Sequence, residues 1–477
     1  MSKFSHLQRN IKYESLEDRF KRYHFYFTMQ QEQLSRMYHS CLNEIRRGLE
    51  MHKESPNKWL PEKCSMMFLD TCVKMVFYGV DFGGTNLRAI RVELDGNGRT
   101  TTSQSRCNIR DDAAARHLPK GLLDKNATAS MLFDSIARQI KKIMEENGDM
   151  ERVDPVPIGF TFSFAIDQKR LDSAILTGWS KGFETGTATK DGVIGRDVCC
   201  LLDVALERQN VPARVVAALN DTTGTMLSAA YERPRSLPPC MMGVILGTGL
   251  NACYYQPAAG EYNYAGNIIN TECGGFDRDL PWNIIDIEVD FASTNRGRQR
   301  LEKMLSGMFL PELCRRVVLK VFQSEAPKEA WTHETMPGEC CGAIIADDSE
   351  DLAVVKEILE EMWQWTPPQE HVERVKALFV AVFDRSAALA SVMIAALAKK
   401  TGRLQPAMGG LTVGVDGSLY TQNILYRQML CKHLNSVLGE DTASLIHFAI
   451  ADDGSGKGAA ILGSAITAGT ENGHRHH

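Results

Sequence analysis

The 477-residue sequence has no C-x-x-C pair, no surplus of basic charge, no low-complexity tether and no apolar run of membrane length. Each absence narrows the field. Thirteen cysteines are an odd number, and two pairs of them are adjacent, Cys199-Cys200 and Cys340-Cys341. Such spacing fits neither a disulfide framework nor a zinc site. Reduced thiols in a cytoplasmic setting are the expectation, with a peroxisome-like organelle left open. Sequons at Asn126 and Asn220 have no other sign of secretion beside them. A formal charge of −5 offers no basic face to nucleic acid. The opening "MSKFSHLQRNIKYESLEDRF" is charged every few residues and lacks the apolar centre of a signal peptide. The longest apolar stretch, "SAALASVMIAALA", is short for a bilayer and is flanked by Arg385 and Lys399-Lys400. It reads as a buried helix, so no transmembrane segment is expected.

What is present is the composition of a globular protein, 44% hydrophobic and 24% charged residues. The length suggests more than one domain, or one large two-lobed unit. From about Ser15 to Lys53 apolar residues recur at three- and four-residue steps, with Ser15 and Asp18 marking a helix start. Two stretches then share a plan of strand, glycine turn and strand: "MVFYGVDFGGTNLRAIRVEL" and "PCMMGVILGTGLNACYY". Between them, "PVPIGFTFSF" and "ARVVAALND" read as buried strands, and "SMLFDSIARQIKKIMEE" and "DVCCLLDVALERQ" as helices. After Ile284 the chain is mostly helical, including one run through "QRLEKMLSGMFLPELCRRVVLKVF". An α/β pattern returns with "QPAMGGLTVGVDGSLY" and "IHFAIADDGSGKGAAILGSAIT". The alternation defines an α/β class with two related lobes.

Several short stretches suit chemistry, and each also has an ordinary reading. In "DFGGTN" the glycines let backbone amides approach an anion, and Thr85, Asn86 and Arg88 add donors. Asp81 ends the strand, where it can hold magnesium through water. The same stretch also reads as a plain hairpin turn. "LGTGLNA" and "GSGKGA" formally fit G-x-G-x-x-A, but neither sits in a βαβ unit, so a dinucleotide fold is rejected. In "VVAALNDTTGTM" a buried run ends on Asn220 and Asp221. An Asp there either caps the next turn or serves as a base at the mouth of a cleft. Ser163, Glu272 and Glu302 are unremarkable when taken singly.

Taken together and in order, "IGFTFSFA", "WSKGF", "NDTTGT", "GTGLNACY", "NTECGGFD", "QRLEKMLSGMFLPEL", "GVDGS" and "DGSGKGAA" resemble the motifs of the eukaryotic-type hexokinase family. The resemblance runs from about Val76 to Ala465. It implies the two-lobed, ribonuclease H-like sugar kinase fold, related to actin and the heat-shock ATPases, with a cleft between a small and a large domain. The division it suggests is an N-terminal helical segment at 1–74 packing on the large domain, a small domain at 75–218 plus 447–468, and a large domain at 219–446. It implies ATP and a hexose as ligands, with Mg²⁺ carried as Mg·ATP, and leaves a homo-oligomer undetermined. By position, Asp221 resembles the general base and Lys181 the cation beside phosphoryl and sugar. Ser163, Ser180, Asn220, Asn251, Glu272 and Glu302 resemble the sugar shell. Gly83, Gly84, Thr85, Asn86, Arg88, Gly247, Thr248 and Gly249 resemble the phosphate loops, with Asp81 as the water-mediated magnesium residue. Gly417, Ser418, Ser455 and Gly456 resemble part of the nucleotide wall. The chain departs from the family pattern with Ser180 for Thr, Ala165 for Pro, and Arg296 where "N-P-G" is usual. The expected reaction is phosphorylation of a hexose at its 6-hydroxyl. A sugar sensor or scaffold with little turnover is the alternative, and an actin-like ATPase would leave the sugar shell without a role.

Overall fold

The computed structural model describes residues 14–51, 76–83, 86–95, 98–179, 182–257, 266–332 and 336–473. Ser15 caps α1 (Leu16–Phe27), its hydroxyl accepting from the Asp18 amide at 3.1 Å. The helical run expected through to Lys53 is interrupted at Thr28–Gln30 before α2 (Gln31–Met51). Heptad spacing gives no warning of this break. Tertiary packing sets it: Phe27 is fully buried beneath the Arg385 guanidinium, 4.3 Å from its ring centre.

The first lobe opens with β1 (Val76–Phe82), β2 (Asn86–Leu94) and β3 (Thr100–Asn108), an antiparallel meander. α3 (Ala129–Glu146) follows, capped by Thr128, then β4 (Val156–Phe162) parallel to β1. A hairpin of β5 (Ala165–Arg170) and β6 (Ser173–Gly178) stands apart, before α4 (Val198–Arg208) and β7 (Ala213–Leu219). The sheet order is β3-β2-β1-β4-β7. Its three parallel strands, β1, β4 and β7, are largely apolar runs, as strands covered on both faces must be.

α5 (Asp221–Glu232) carries the chain into the second lobe. There β8 (Cys240–Leu246), β9 (Leu250–Tyr255) and β10 (Ile268–Asn270) form a second meander. A helical block comes next: α6 (Ile284–Ala292), α7 (Arg300–Leu305), α8 (Leu310–Phe322), α9 (Gly338–Ala346), α10 (Ala353–Trp363) and α11 (Gln369–Lys400). The chain then returns to the sheet as β11 (Leu411–Asp416), passes α12 (Ser418–Thr421), α13 (Ile424–Leu438) and α14 (Glu440–Ala443), and adds β12 (Ile446–Ile450). The order is β10-β9-β8-β11-β12, the plan of the first sheet repeated. α15 (Gly454–Gly473) ends the described chain.

Three details differ from the sequence-based expectation. The helical run from Gln299 breaks at Ser306–Phe309, because the Gly307 and Met308 amides donate to the carbonyls of Gly247 and Thr248 at 2.7 and 3.2 Å. The boundary drawn at 447 falls inside β12, which pairs with β11 in the second sheet; the chain regains the first lobe only where α15 begins. α9 fills a stretch left unassigned, whereas α10 lies in the expected helical run "LAVVKEILEEMWQW". α11 is the one described helix long and apolar enough to cross a membrane, but 83% of its apolar window is buried in the fold. Its Arg385 is fully buried and forms a bidentate pair with Asp286 at 2.7 Å. α1 and α2 lie against this block, with the Arg19 Nε donating to the Val321 carbonyl at 2.7 Å.

The lobes meet where α5 and α15 cross. α5 lies on the second sheet and α15 on the first, and the two touch backbone to backbone. A Cβ added at Gly458 would lie 1.9 Å from the Gly224 carbonyl oxygen, so only glycine permits the approach.

Candidate active site

β7 delivers its last buried residue, Leu219, to the first turn of α5. Asn220 takes the extended cap conformation, and its Oδ1 accepts from the Thr222 amide at 3.0 Å and the Thr222 hydroxyl at 2.7 Å. Asp221 is the first helical residue. Its Oδ1 shares the Thr222 amide at 2.8 Å, while its Oδ2 makes no hydrogen bond among the described residues. The helix dipole favours a carboxylate at this end.

A polar shell grows from Asn220 into the second lobe. The Asn251 amide, on β9, donates toward Asn220 Oδ1 at 3.2 Å, Asn270 Oδ1 at 3.0 Å and Glu272 Oε1 at 3.2 Å. These contacts tie Asn220, Asn251, Asn270 and Glu272 into one network. The Asn270 amide also donates to Glu272 Oε1 at 2.9 Å and fixes that carboxylate from behind. Glu272 has a left-handed backbone, φ 48°, which turns the chain after β10 toward the cleft. Glu302, in the first turn of α7, accepts from the Leu250 amide through Oε2 at 2.9 Å. Gly249 makes this possible, because a Cβ there would lie 2.9 Å from the same oxygen. Gln299 was not foreseen. Its Oε1 is buried beside Gly274 and Gly275 with no hydrogen-bond partner, three residues before Glu302. Its φ of +51° was the available structural signal, and that cannot be read from sequence.

Ser163 belongs to the other lobe. The strand register pairs Thr161 with Leu219, so Ser163 and Asp221 each lie two residues beyond this last pair. The Ser163 amide donates to the Phe82 carbonyl at 3.1 Å, and its hydroxyl lies against Gly83 in the β1–β2 turn. Gly84, Thr85, Ser180 and Lys181 lie outside the described residues, and Asn86 is described only in its backbone, at the start of β2.

The phosphate side is organised by acids. Asp81 accepts from the Ser455 hydroxyl through Oδ2 at 2.8 Å, with Arg88 Nη1 3.9 Å away. Arg88 also pairs with Asp453 at 2.8 Å, and Arg106 joins it at 3.0 Å. Asp416, at the tip of β11, is pushed up to about 6 by burial, with the nearby Asp81 and Asp453 carboxylates adding to the effect. Neither Asp416 nor Asp453 was singled out from sequence, although both stand inside quoted motifs. The turn Gly247–Gly249 exposes Thr248, and Gly417 (φ 109°) packs on the Leu246 carbonyl with Ser418 exposed beside it. Gly456 sits differently from the expected nucleotide wall. It is buried where α15 meets β1, its carbonyl 2.0 Å from a Cβ built on Gly79, and so serves helix–strand packing.

No group of three or more His, Cys, Asp or Glu side chains arranged to hold a metal occurs among the described residues. A magnesium ion brought by a nucleotide needs no such cage, because phosphates and water fill most of its shell. Asp81 fits that role as a single carboxylate reaching the ion through water, and a cation there would ease the smaller part of the Asp416 rise that comes from neighbouring acids.

Two lobes on one sheet plan, glycine turns and acids on one side and a hydroxyl-matching shell on the other, define a sugar kinase of the two-lobed ribonuclease H-like class. Comparison with known proteins agrees. A family model described as "Hexokinase" matches residues 241–465, and another of that description matches residues 19–231. The chain is 43% identical to a hexokinase of Plasmodium falciparum over 431 residues, covering 89% of this chain and 87% of that one. It is 42% identical to a hexokinase of Toxoplasma gondii, covering 91% and 94%. A hexokinase crystal structure superposes with a TM-score of 0.83 at 40% identity, covering 95% and 99%. A Schistosoma mansoni hexokinase complexed with glucose superposes at 0.76 with 26% identity, covering 94% and 100%. The chain belongs to the hexokinase family, and its reaction is the ATP-dependent phosphorylation of a hexose in glycolysis.

Proposed function

We propose that the protein transfers the terminal phosphoryl group of ATP to the 6-hydroxyl of glucose, with Asp221 as general base. The observation that carries this reading is the division of labour at the start of α5. Asn220 supplies the cap, so Asp221 keeps an oxygen without a hydrogen bond among the described residues, one residue from the polar shell. Glu272 and Glu302 accept from sugar hydroxyls, Asn220 and Asn251 both donate and accept, and Ser163 closes the shell from the first lobe. The buried polar groups of Ser163, Asn220 and Asn251 discriminate against ligands that leave them unpaired. The glucose complex of the Schistosoma relative supports glucose as the occupant.

Phosphoryl transfer asks the protein for positioning and charge more than for covalent chemistry. Asp221 holds the 6-hydroxyl by a hydrogen bond and takes its proton as the new O–P bond forms. Lys181, in the position the family gives it, neutralises charge on the transferring group, and the glycine-turn amides bind the phosphate oxygens. Asp81 would hold, through water, the magnesium that accompanies ATP, and that ion would spread the charge of the phosphates. Closure of the lobes about the α5–α15 crossing excludes water, the competing nucleophile.

Purified protein in a coupled assay should form glucose 6-phosphate from glucose and Mg·ATP. Asp221→Ala should lower kcat by about a hundred- to ten-thousand-fold, while calorimetry still detects glucose binding. Failure to phosphorylate any common hexose sinks the reading, and an unchanged kcat in the variant removes Asp221 from the mechanism.

A further inference from the structure

Fourteen large hydrophobic side chains are exposed among the described residues, and five of them gather in one region. Phe25 and Tyr26 stand at the end of α1, and Ile284, Ile287 and Phe291 on α6. The Asn283 amide donates to the Tyr26 carbonyl at 3.4 Å, so the end of α1 abuts the start of α6. Ile284, Ile287 and Phe291 follow at i, i+3 and i+7, a single stripe along one helix face.

α6 carries apolar residues on two faces. Ile285 and Val289 face the core. Its three acids are all committed: Asp286 to Arg385 at 2.7 Å, Glu288 to Lys320 at 2.5 Å, and Asp290 to Lys303 at 2.6 Å. A contiguous apolar patch rimmed by charge marks a contact surface. Here the outward stripe is open, with Phe291 66% and Ile287 52% exposed.

The charges at the two ends of the stripe select its occupant. The chain leading into α6 carries exposed Asp277, Arg278 and Asp279, a net negative charge, and the chain leaving it carries exposed Arg296 and Arg298. A two-fold axis through the middle of α6 would lay each arginine end on the aspartate end of a second copy, with the helix dipoles antiparallel. The arginine end is also ordered in advance. Arg296 stacks over Phe291 at 4.1 Å, the Gly297 amide is held by Asp290 at 2.9 Å, and the buried Lys303 donates to the Asn295 carbonyl at 2.9 Å. A rigid loop loses little entropy on association.

We propose that the α1–α6 face is a self-complementary interface, in which α6 of one copy packs antiparallel on α6 of a second copy. The face lies wholly on the second lobe and leaves the first lobe free to move. The loop that carries Arg296 and Arg298 continues directly into Gln299 and Glu302, so the contact borders the sugar shell.

Sedimentation of the full chain, from submicromolar to tens of micromolar, tests this. The wild type should shift with concentration to twice the chain mass. Ile287→Glu and Phe291→Glu should raise the dissociation constant by about tenfold or more, with circular dichroism unchanged. Arg298→Asp, at a fully solvated position, should weaken the dimer, and Asp277→Arg added to it should restore association. A wild type that stays monomeric leaves the face to some other occupant and overturns the proposal. So does a dimer indifferent to both stripe variants, or an Arg298→Asp defect that Asp277→Arg fails to rescue.

Discussion

A carboxylate beside a helix cap can be consumed by the cap, and Asp221 escapes this because Asn220 stands before it. Two adjacent polar residues therefore divide a task that one of them would do badly. Asp416 shows the opposite economy. Burial and two neighbouring acids hold its proton on to about pH 6, above the ordinary carboxyl range near 4. The folded state thus binds this proton more tightly than the unfolded chain does. The resulting stability is present below about pH 4 and is lost as pH rises toward 6, a swing of about 3 kcal/mol. Asp416→Asn should therefore raise the thermal midpoint of the ligand-free protein at pH 7 and leave it unchanged near pH 4, while weakening use of Mg·ATP. A stability difference that does not vary with pH would show that Asp416 is not titrating in this window. Asp221, Glu272, Glu302 and Asn251 could be named from sequence only through the positions that the family resemblance gives them within its motifs. Asp416, Asp453, Asn270 and Gln299 were not, because what they do depends on neighbours that only folding supplies.

At the level of elements, strands and helices followed from apolar period and from turn residues, and the repeated sheet plan was visible in the two glycine hairpins. The breaks were hidden. The interruption at Thr28–Gln30 answers to the burial of Phe27 under Arg385, and the one at Ser306–Phe309 to amides donated to the Gly247–Gly249 turn. Both causes are distant in sequence. The crossing of α5 and α15 is equally invisible in local pattern, since glycine inside a helix usually signals only weak propensity. At Gly458 it signals contact. Gly458→Ala should lower the denaturation midpoint by about 1–3 kcal/mol of stability, because the added methyl meets backbone, and it should slow turnover by wedging the helices apart. A midpoint equal to that of the wild type would mean that the helices can part without cost.

The whole molecule is two lobes joined through two helices, with Ser163 and Asp81 on the first side and Asn251, Glu272 and Glu302 on the second. A sugar that bonds to both sets draws the lobes together. Small-angle scattering should then record a smaller radius of gyration with saturating glucose. The Asp221→Ala variant should contract as well, because the shell that binds the hydroxyls is intact. Equal radii with and without glucose would mean that the cleft does not close.

The backbone of Gly224 rests on Ser455, and Ser455 in turn holds Asp81. Asp221 lies one turn before Gly224. The fulcrum of the molecule therefore coincides with its chemistry. A lever moves least near its support, so on the proposed closure Asp221 and the acids around Asp81 would keep their spacing while the outer loops sweep through most of the travel.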